Sequence, residues 1–170
     1  MKKICYFMMV IVVGCSYSVY TSGFSHLKSI NVFVFENITT EYELEEMLDG
    51  ILVDKFQNEA RLKLINVDAD CKIEGKILDY SKRILEYGEG NVDEYEVRIL
   101  LDVTFTDLLN NEMIWQKKSL ILSEKYSNSD VNEDESGDAM ELIAKTEIEA
   151  QNRIFKALFE QIIKNSLEEW

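Results

Sequence analysis

Residues 95–106 constrain the fold more than any other part of this chain of 170 residues. Tyr95, Val97, Ile99, Leu101, Val103 and Phe105 alternate with Glu96, Arg98, Leu100, Asp102, Thr104 and Thr106. Successive side chains of a strand point to opposite faces, so this spacing predicts a long strand with one buried face. Such a strand needs neighbours for its backbone and a second layer for its apolar face. Residues 71–81 read as the strand before it, across the turn chemistry of Tyr87-Gly88-Glu89-Gly90-Asn91. Leu109-Asn110-Asn111-Glu112 reads as a second turn, and residues 113–126 as the strand after it. Connections this short imply an antiparallel meander.

The second layer is also legible. Residues 29–35 are β-branched and aromatic on both faces, which predicts a buried or central strand. Thr40 and Glu43 fit a capping box, in which each side chain satisfies a free N–H at a helix start. Leu44, Met47, Leu48, Ile51, Leu52 and Phe56 then form one apolar stripe, predicting an amphipathic helix over 41–60. Residues 62–67 are a short strand-like piece, interrupted by Asp68-Ala69-Asp70. Residues 127–138 carry Asp130, Glu133, Asp134, Glu135 and Asp138 and predict a solvated loop. From 139 to 167 there is no Gly or Pro, and Ile143, Ala144, Ile148, Ile154, Phe155, Leu158, Phe159, Ile162 and Ile163 mark one face. A helix of that length runs about 42 Å.

The order is β-α-β-β-β-α. It predicts an α+β two-layer sandwich, a four-stranded, mostly antiparallel mixed sheet with two helices on one face. The first strand has two possible neighbours. Leu78, Tyr80 and Leu100 are expected on the uncovered face, and that face or an edge strand is where a partner would meet the domain.

The beginning of the chain says where the domain works. Met1-Lys2-Lys3, an apolar run from Ile4 to Val13 and then Gly14-Cys15 have the form of a secretory signal. The run is too short to span a bilayer, which takes roughly 20 residues. Val12-Val13-Gly14-Cys15 resembles the lipobox of bacterial lipoproteins. That resemblance implies cleavage before Cys15, a diacylglycerol on its sulfur and an acyl chain on its new amine. Two or more chains hold a protein to a membrane stably. The expected organisation is a signal peptide at 1–14, a lipidated tether at 15–28 and a single domain at 29–170.

Charge narrows the partners. Lys2 and Lys3 leave with the signal, so 18 basic residues become 16 against 32 acidic ones, a formal charge of −16. So acidic a chain argues against nucleic acid and against broad adhesion to anionic membrane. Cys5 lies in the signal and Cys15 in the lipobox, which leaves Cys71 as a buried structural thiol in a strand. One such Cys and the single His26, placed in the tether, make neither a metal site nor a catalytic pair. With no Gly-rich phosphate loop either, no enzyme activity and no cofactor is expected. The Asn37-Ile38-Thr39 glycosylation pattern is a chance match in a bacterial lipoprotein.

Several motifs, taken in order, resemble the lipopolysaccharide-assembly lipoprotein family, LptE. They begin with Gly14-Cys15-Ser16-Tyr17 and continue with Ile30-Asn31-Val32-Phe33-Val34-Phe35-Glu36-Asn37, similar to the family's I-x-V-x-x-F-x-N first strand. Glu45-Glu46-Met47-Leu48 follows in the first helix. Ala69-Asp70-Cys71-Lys72-Ile73-Glu74-Gly75-Lys76-Ile77 and Tyr80-Ser81 resemble its second strand. Tyr95-Glu96-Val97 through Asp107, then Ile114-Trp115, resemble its third and fourth strands. The resemblance implies a lipoprotein of the outer membrane, facing the periplasm. It would sit in the lumen of a large β-barrel, LptD, assist that barrel's assembly and contact lipopolysaccharide or a related glycolipid.

Contacts to such an anionic cargo should be basic. In an antiparallel meander the second and fourth strands end at one edge, which brings Lys82, Arg83 and Lys125 within about two strand spacings, roughly 10 Å. They are the candidate lipopolysaccharide contacts, with Lys117 and Lys118 a weaker choice at the opposite end. The alternative for these cations is pairing with nearby carboxylates. The alternative for the protein is another periplasmic accessory lipoprotein, such as an assembly factor for a secretion system.

Overall fold

The computed structural model describes residues 26–58, 61–87, 92–127 and 139–168. The expected signal, Cys15, most of the tether, the turn at 88–91 and the acidic loop at 128–138 lie outside the described residues. The elements are β1 (Ser29–Val32), β2 (Glu36–Asn37), α1 (Leu44–Asn58), β3 (Lys63–Leu64), β4 (Cys71–Tyr87), β5 (Val92–Asp107), β6 (Glu112–Ser127) and α2 (Ala139–Ile163). A π-helical turn, Lys164–Glu168, prolongs α2.

The α+β class is as expected, with a sheet of six strands rather than four. The main path runs β3-β1-β4-β5-β6, and β2 also pairs with β4. β4, β5 and β6 form the antiparallel meander. β1 lies parallel to both β3 and β4, which resolves its two possible neighbours by using both. The extra strands arise at the N-terminal side. The expected single strand at 29–35 stops at Val32, β2 forms just beyond its expected end, and both lie parallel to β4, while the short β3 pairs with β1. Phe33 and Val34 sit in the break and are exposed, so that run is not buried on both faces.

The alternation in β5 does what its spacing predicts. Val97, Ile99, Leu101, Val103 and Phe105 are fully buried and belong to one core with Cys71, Ile73 and Ile77 of β4. Leu44, Leu48, Leu52 and Phe56 of α1 and Ile154, Phe155, Leu158, Phe159 and Ile162 of α2 close that core. Phe56 and Phe159 meet edge to face at 5.1 Å, which joins the two helices. Each such side chain stabilises the fold by about 1.5–3 kcal/mol relative to exposure.

Two local expectations change. Helix α1 begins at Leu44, not 41, and Thr40 does not cap it. Glu43 takes a left-handed φ of 66° and its carbonyl accepts the Met47 N–H. The preceding residues are held in a turn built by Asn37. Its Oδ1 accepts from the Thr39 N–H and hydroxyl, and its Nδ2 donates to the Glu41 carbonyl and the Glu45 carboxylate. The turn uses the polar groups that a helix start at 41 would need.

The second change is in β4. Ile77 pairs with Leu101, but Asp79 pairs with Leu100, so Leu78 is an inserted residue, a β-bulge. One extra residue reverses which face each later side chain occupies. Tyr80, expected on the uncovered face, therefore turns to the helices and bonds to Glu147 and Gln151 of α2. Leu78 is half-buried, and Leu100 lies on the outer side as expected.

Candidate functional site

No described element covers the face of the sheet opposite the helices. Its rows follow from the register. At one end Arg83, Glu96 and Lys125 lie side by side across β4, β5 and β6. The next outward row is Ser81, Arg98 and Ser123, and the next Asp79, Leu100 and Ile121. Residues two apart along a strand are diagonal neighbours of the facing row, about 7–8 Å off. Arg83, Arg98 and Lys125 therefore share one patch around Glu96. Arg83 pairs with Glu96, and Lys125 with Glu94 at 3.3 Å. Among the described residues no carboxylate pairs with Arg98. Sequence reasoning missed Arg98 as a candidate, although its place between Val97 and Ile99 already put it outward.

Lys82 reaches the same end of the sheet but from the other side. Its row contains Val97, which is buried, and Glu124, which pairs with Arg153 of α2. The Lys82 ammonium joins Glu147 and stands 5.6 Å from the centre of the Tyr95 ring. The structure thus brings Arg83 and Lys125 together and turns Lys82 to the helices. All three are engaged with carboxylates.

Glu147 is the hub of that helix side. Tyr80, Lys82 and Tyr126 all donate to it, and Gln151 donates to the Tyr80 hydroxyl. Burial pushes its carboxyl up, but hydrogen bonds from Lys82 and Tyr80 outweigh it and hold the group below its ordinary range. Burial, reinforced by this carboxylate, pushes both tyrosine hydroxyls up. The network is saturated and fixes α2 on the sheet.

The opposite end of the uncovered face holds a groove of about 410 Å³ between the β1–β2 break and β6. Phe33 and Val34 form one wall, Gln116 and Lys118 the other, over Gly75 and Val103. Lys76 pairs with Glu36 at 2.6 Å on its rim. Lys118, the weaker sequence candidate, lines this groove. The floor is tight. A Cβ at Gly75 would overlap the Asp102 carbonyl and the Phe35 ring.

A thiol, an imidazole and a carboxylate do meet in one corner. Cys71 pairs with Asp107 across β4 and β5, and His26 Nε2 lies 2.6 Å from Asp107 Oδ2. The chemistry there is structural. Burial pushes the Cys71 thiol up to about 12, and its Sγ donates to the Ser29 carbonyl. Asp107 is buried, and its oxygens take the N–H groups of Leu109 and Asn110 and the Asn110 amide. Burial raises its carboxyl, yet those bonds and His26 bring it down to about 2. Among the described residues no group of His, Cys, Asp and Glu is placed to hold a metal ion. None of the described helices is long and apolar enough to cross a membrane.

Comparison with protein families matches residues 27–166 to the lipopolysaccharide-assembly family LptE. Among solved structures the chain is similar to the hypothetical protein CT253 from Chlamydia trachomatis. The TM-score is 0.57 at 12% identity, over 82% of this chain and 98% of that one. It is also similar to protein XCC0632 from Xanthomonas campestris, with a TM-score of 0.53 at 9% identity over 82% and 85% of the two chains. For the uncharacterized lipoprotein B from Nitrosomonas europaea the TM-score is 0.51 at 17% identity, over 81% and 83%. Identities this low carry the fold alone. Comparison with curated proteins gives no match.

Proposed function

The chain belongs to the lipopolysaccharide-assembly family LptE, and from that premise we propose that it is a lipid-anchored, non-catalytic partner of a large outer-membrane β-barrel of the LptD kind. In this reading residues 1–14 are removed, Cys15 carries the lipid, and residues 15–28 tether the domain at 29–170 to the outer membrane. The domain faces the periplasm, plugs the barrel lumen, assists the barrel's assembly and serves delivery of lipopolysaccharide or a related glycolipid to the outer leaflet.

The family match over 27–166 carries this proposal. The uncovered sheet face supports it, because a plug needs a surface free to meet a wall. Leu100 and Ile121 give that face an apolar middle, and Arg83, Arg98 and Lys125 give it a basic end. Arg83 and Lys125, with Lys82 on the helix side of the same end, are the proposed contacts for cargo phosphates. A phosphate there would take the place of Glu96 or Glu94, exchanging one charge-assisted pair for another.

The test is a mild-detergent isolation of the full-length lipidated protein from its native membrane, with bound proteins identified by mass spectrometry. A stoichiometric large barrel is the expected companion. A preparation without a barrel, or one carrying a secretion ring, overturns the plug reading.

A further inference from the structure

One end of the domain is built like a surface for lipid. The β5–β6 turn holds Leu108 and Leu109 at 43% and 59% exposure, and Met113 just beyond it is 55% exposed. These side chains point outward because the inside of the turn is occupied by the Asp107 carboxylate, which takes the N–H groups of Leu109 and Asn110. The Leu108 N–H is taken by the Asp70 carbonyl. The N–H groups of Leu108, Leu109 and Asn110 are thus satisfied inside the protein, and leaving water does not strand them.

The chain leading from the expected anchor arrives at this same end. His26 bonds to Asp107 and Asn110, and the Lys28 N–H bonds to the Asp70 carboxylate. Cys15 precedes His26 by only eleven positions. Fully extended, a stretch of that length spans at most roughly 40 Å. A lipid carried on Cys15 would therefore lie no farther than roughly 40 Å from His26 at this end. Exposed Lys28 and Lys63, joined through the Lys28 carbonyl and the Lys63 N–H, add two cations at this end, against the exposed carboxylates of Asp68 and Glu112.

We infer that the β5–β6 turn, through Leu108, Leu109 and Met113, is the part of the domain that seats in the headgroup region of the leaflet holding the lipid anchor. The inference rests on lipidation of Cys15. A contact this small does not bind a membrane alone. It acts once the anchor has raised its local concentration and before the domain enters a barrel lumen, and it orients the domain with the turn down and the Arg83–Lys125 end away from that leaflet.

The test uses full-length lipidated protein in vesicles of phosphatidylethanolamine and phosphatidylglycerol. Leu109→Cys and, separately, Ser123→Cys are labelled with an environment-sensitive fluorophore. Ser123 is exposed and lies about 36 Å along β6 from Glu112. Lipidated Cys15 and the buried Cys71 do not take the label. At 109 the emission should shift to the blue and be quenched by nitroxide-bearing lipid. At 123 it should remain that of water. Water-like emission at both sites, on protein whose mass includes the diacylglycerol, overturns the inference and leaves the anchor standing. Lipid-like emission at both sites also overturns it, since the domain then lies flat without a preferred end. A mature chain without the diacylglycerol mass overturns the anchor and the inference with it.

Discussion

His26 Nε2 lies 2.6 Å from Asp107 Oδ2, so the start of the described chain is fastened to the last residue of β5. Asp107 titrates near 2 in the fold against an ordinary 3.8. A depressed carboxylate contributes stability in full above its unfolded value and loses it as pH falls through the folded one. The melting temperature should carry a step of acid loss between pH 3.8 and 2 that Asp107→Asn removes. At neutral pH the same variant should cost about 1.5–3 kcal/mol, as expected for hydrogen bonds to a charged group. Thermal melts taken from about pH 5 down to pH 2 follow the first, and urea unfolding at pH 7 measures the second.

Glu147 should behave as a keystone for α2. Glu147→Gln keeps the shape but removes the charge that Lys82, Tyr80 and Tyr126 address. The expected loss is about 1–3 kcal/mol. A double-mutant cycle with Lys82→Met should return a coupling of at least half a kilocalorie, in the ordinary range of ~0.5–3 kcal/mol for contacting residues. Additive losses would mean that Lys82 and Glu147 act independently.

Gly75→Ala should be costly for so small a change. One obstacle is the backbone carbonyl of Asp102, which cannot swing aside as a side chain can. The loss should reach about 3 kcal/mol, the upper end for overpacking. Phe35→Leu in the same chain should recover only part of it, because the carbonyl remains.

Cys71 should be inert in the folded protein. With its thiol pushed up to about 12, the thiolate at pH 8 is about one part in ten thousand, and the thiolate is the reactive form. Maleimide should label the unlipidated Cys15→Ser variant, signal removed, only after denaturant is added. Rapid labelling without denaturant would show that β1 opens from β4.

The basic patch separates cargo from stability. Arg83→Gln, Arg98→Gln and Lys125→Gln together should lower lipopolysaccharide capture by the protein tenfold or more. Exposed pairs are worth only about 0–1 kcal/mol each, so the unfolding midpoint should barely move. Unchanged capture would remove this patch from consideration as the cargo contact.

The sequence made some of this visible and hid the rest for physical reasons. The face of β5 could be read from its own residues, because alternation is a property of one strand. The face of Tyr80 could not, because the Leu78 bulge exists only in relation to Leu100 and Leu101 on the partner strand. The start of α1 moved because Asn37 builds a turn with residues up to eight positions ahead, out of view of a four-residue capping pattern. Lys82, Arg83 and Lys125 were placed at one end from strand lengths alone. Which of them face together depended on the same bulge. Arg98 was legible in the sequence, since its place between Val97 and Ile99 sets it on the outward face, in the middle of a strand rather than at an end.

β6 ends the sheet, and its open edge is interrupted. Lys118 and Ser119 together face Asp102, and the left-handed Ser119, φ 54°, gives its N–H to the Asp102 side chain. Ile114 is a second inserted residue closer to the turn. Further along, Arg153 takes the Lys125 carbonyl. Another copy arriving edge to edge would find its hydrogen-bond ladder broken every few residues and two lysines, Lys117 and Lys118, in the way. Such an edge keeps copies of this chain from joining strand to strand into fibres, whatever their local concentration.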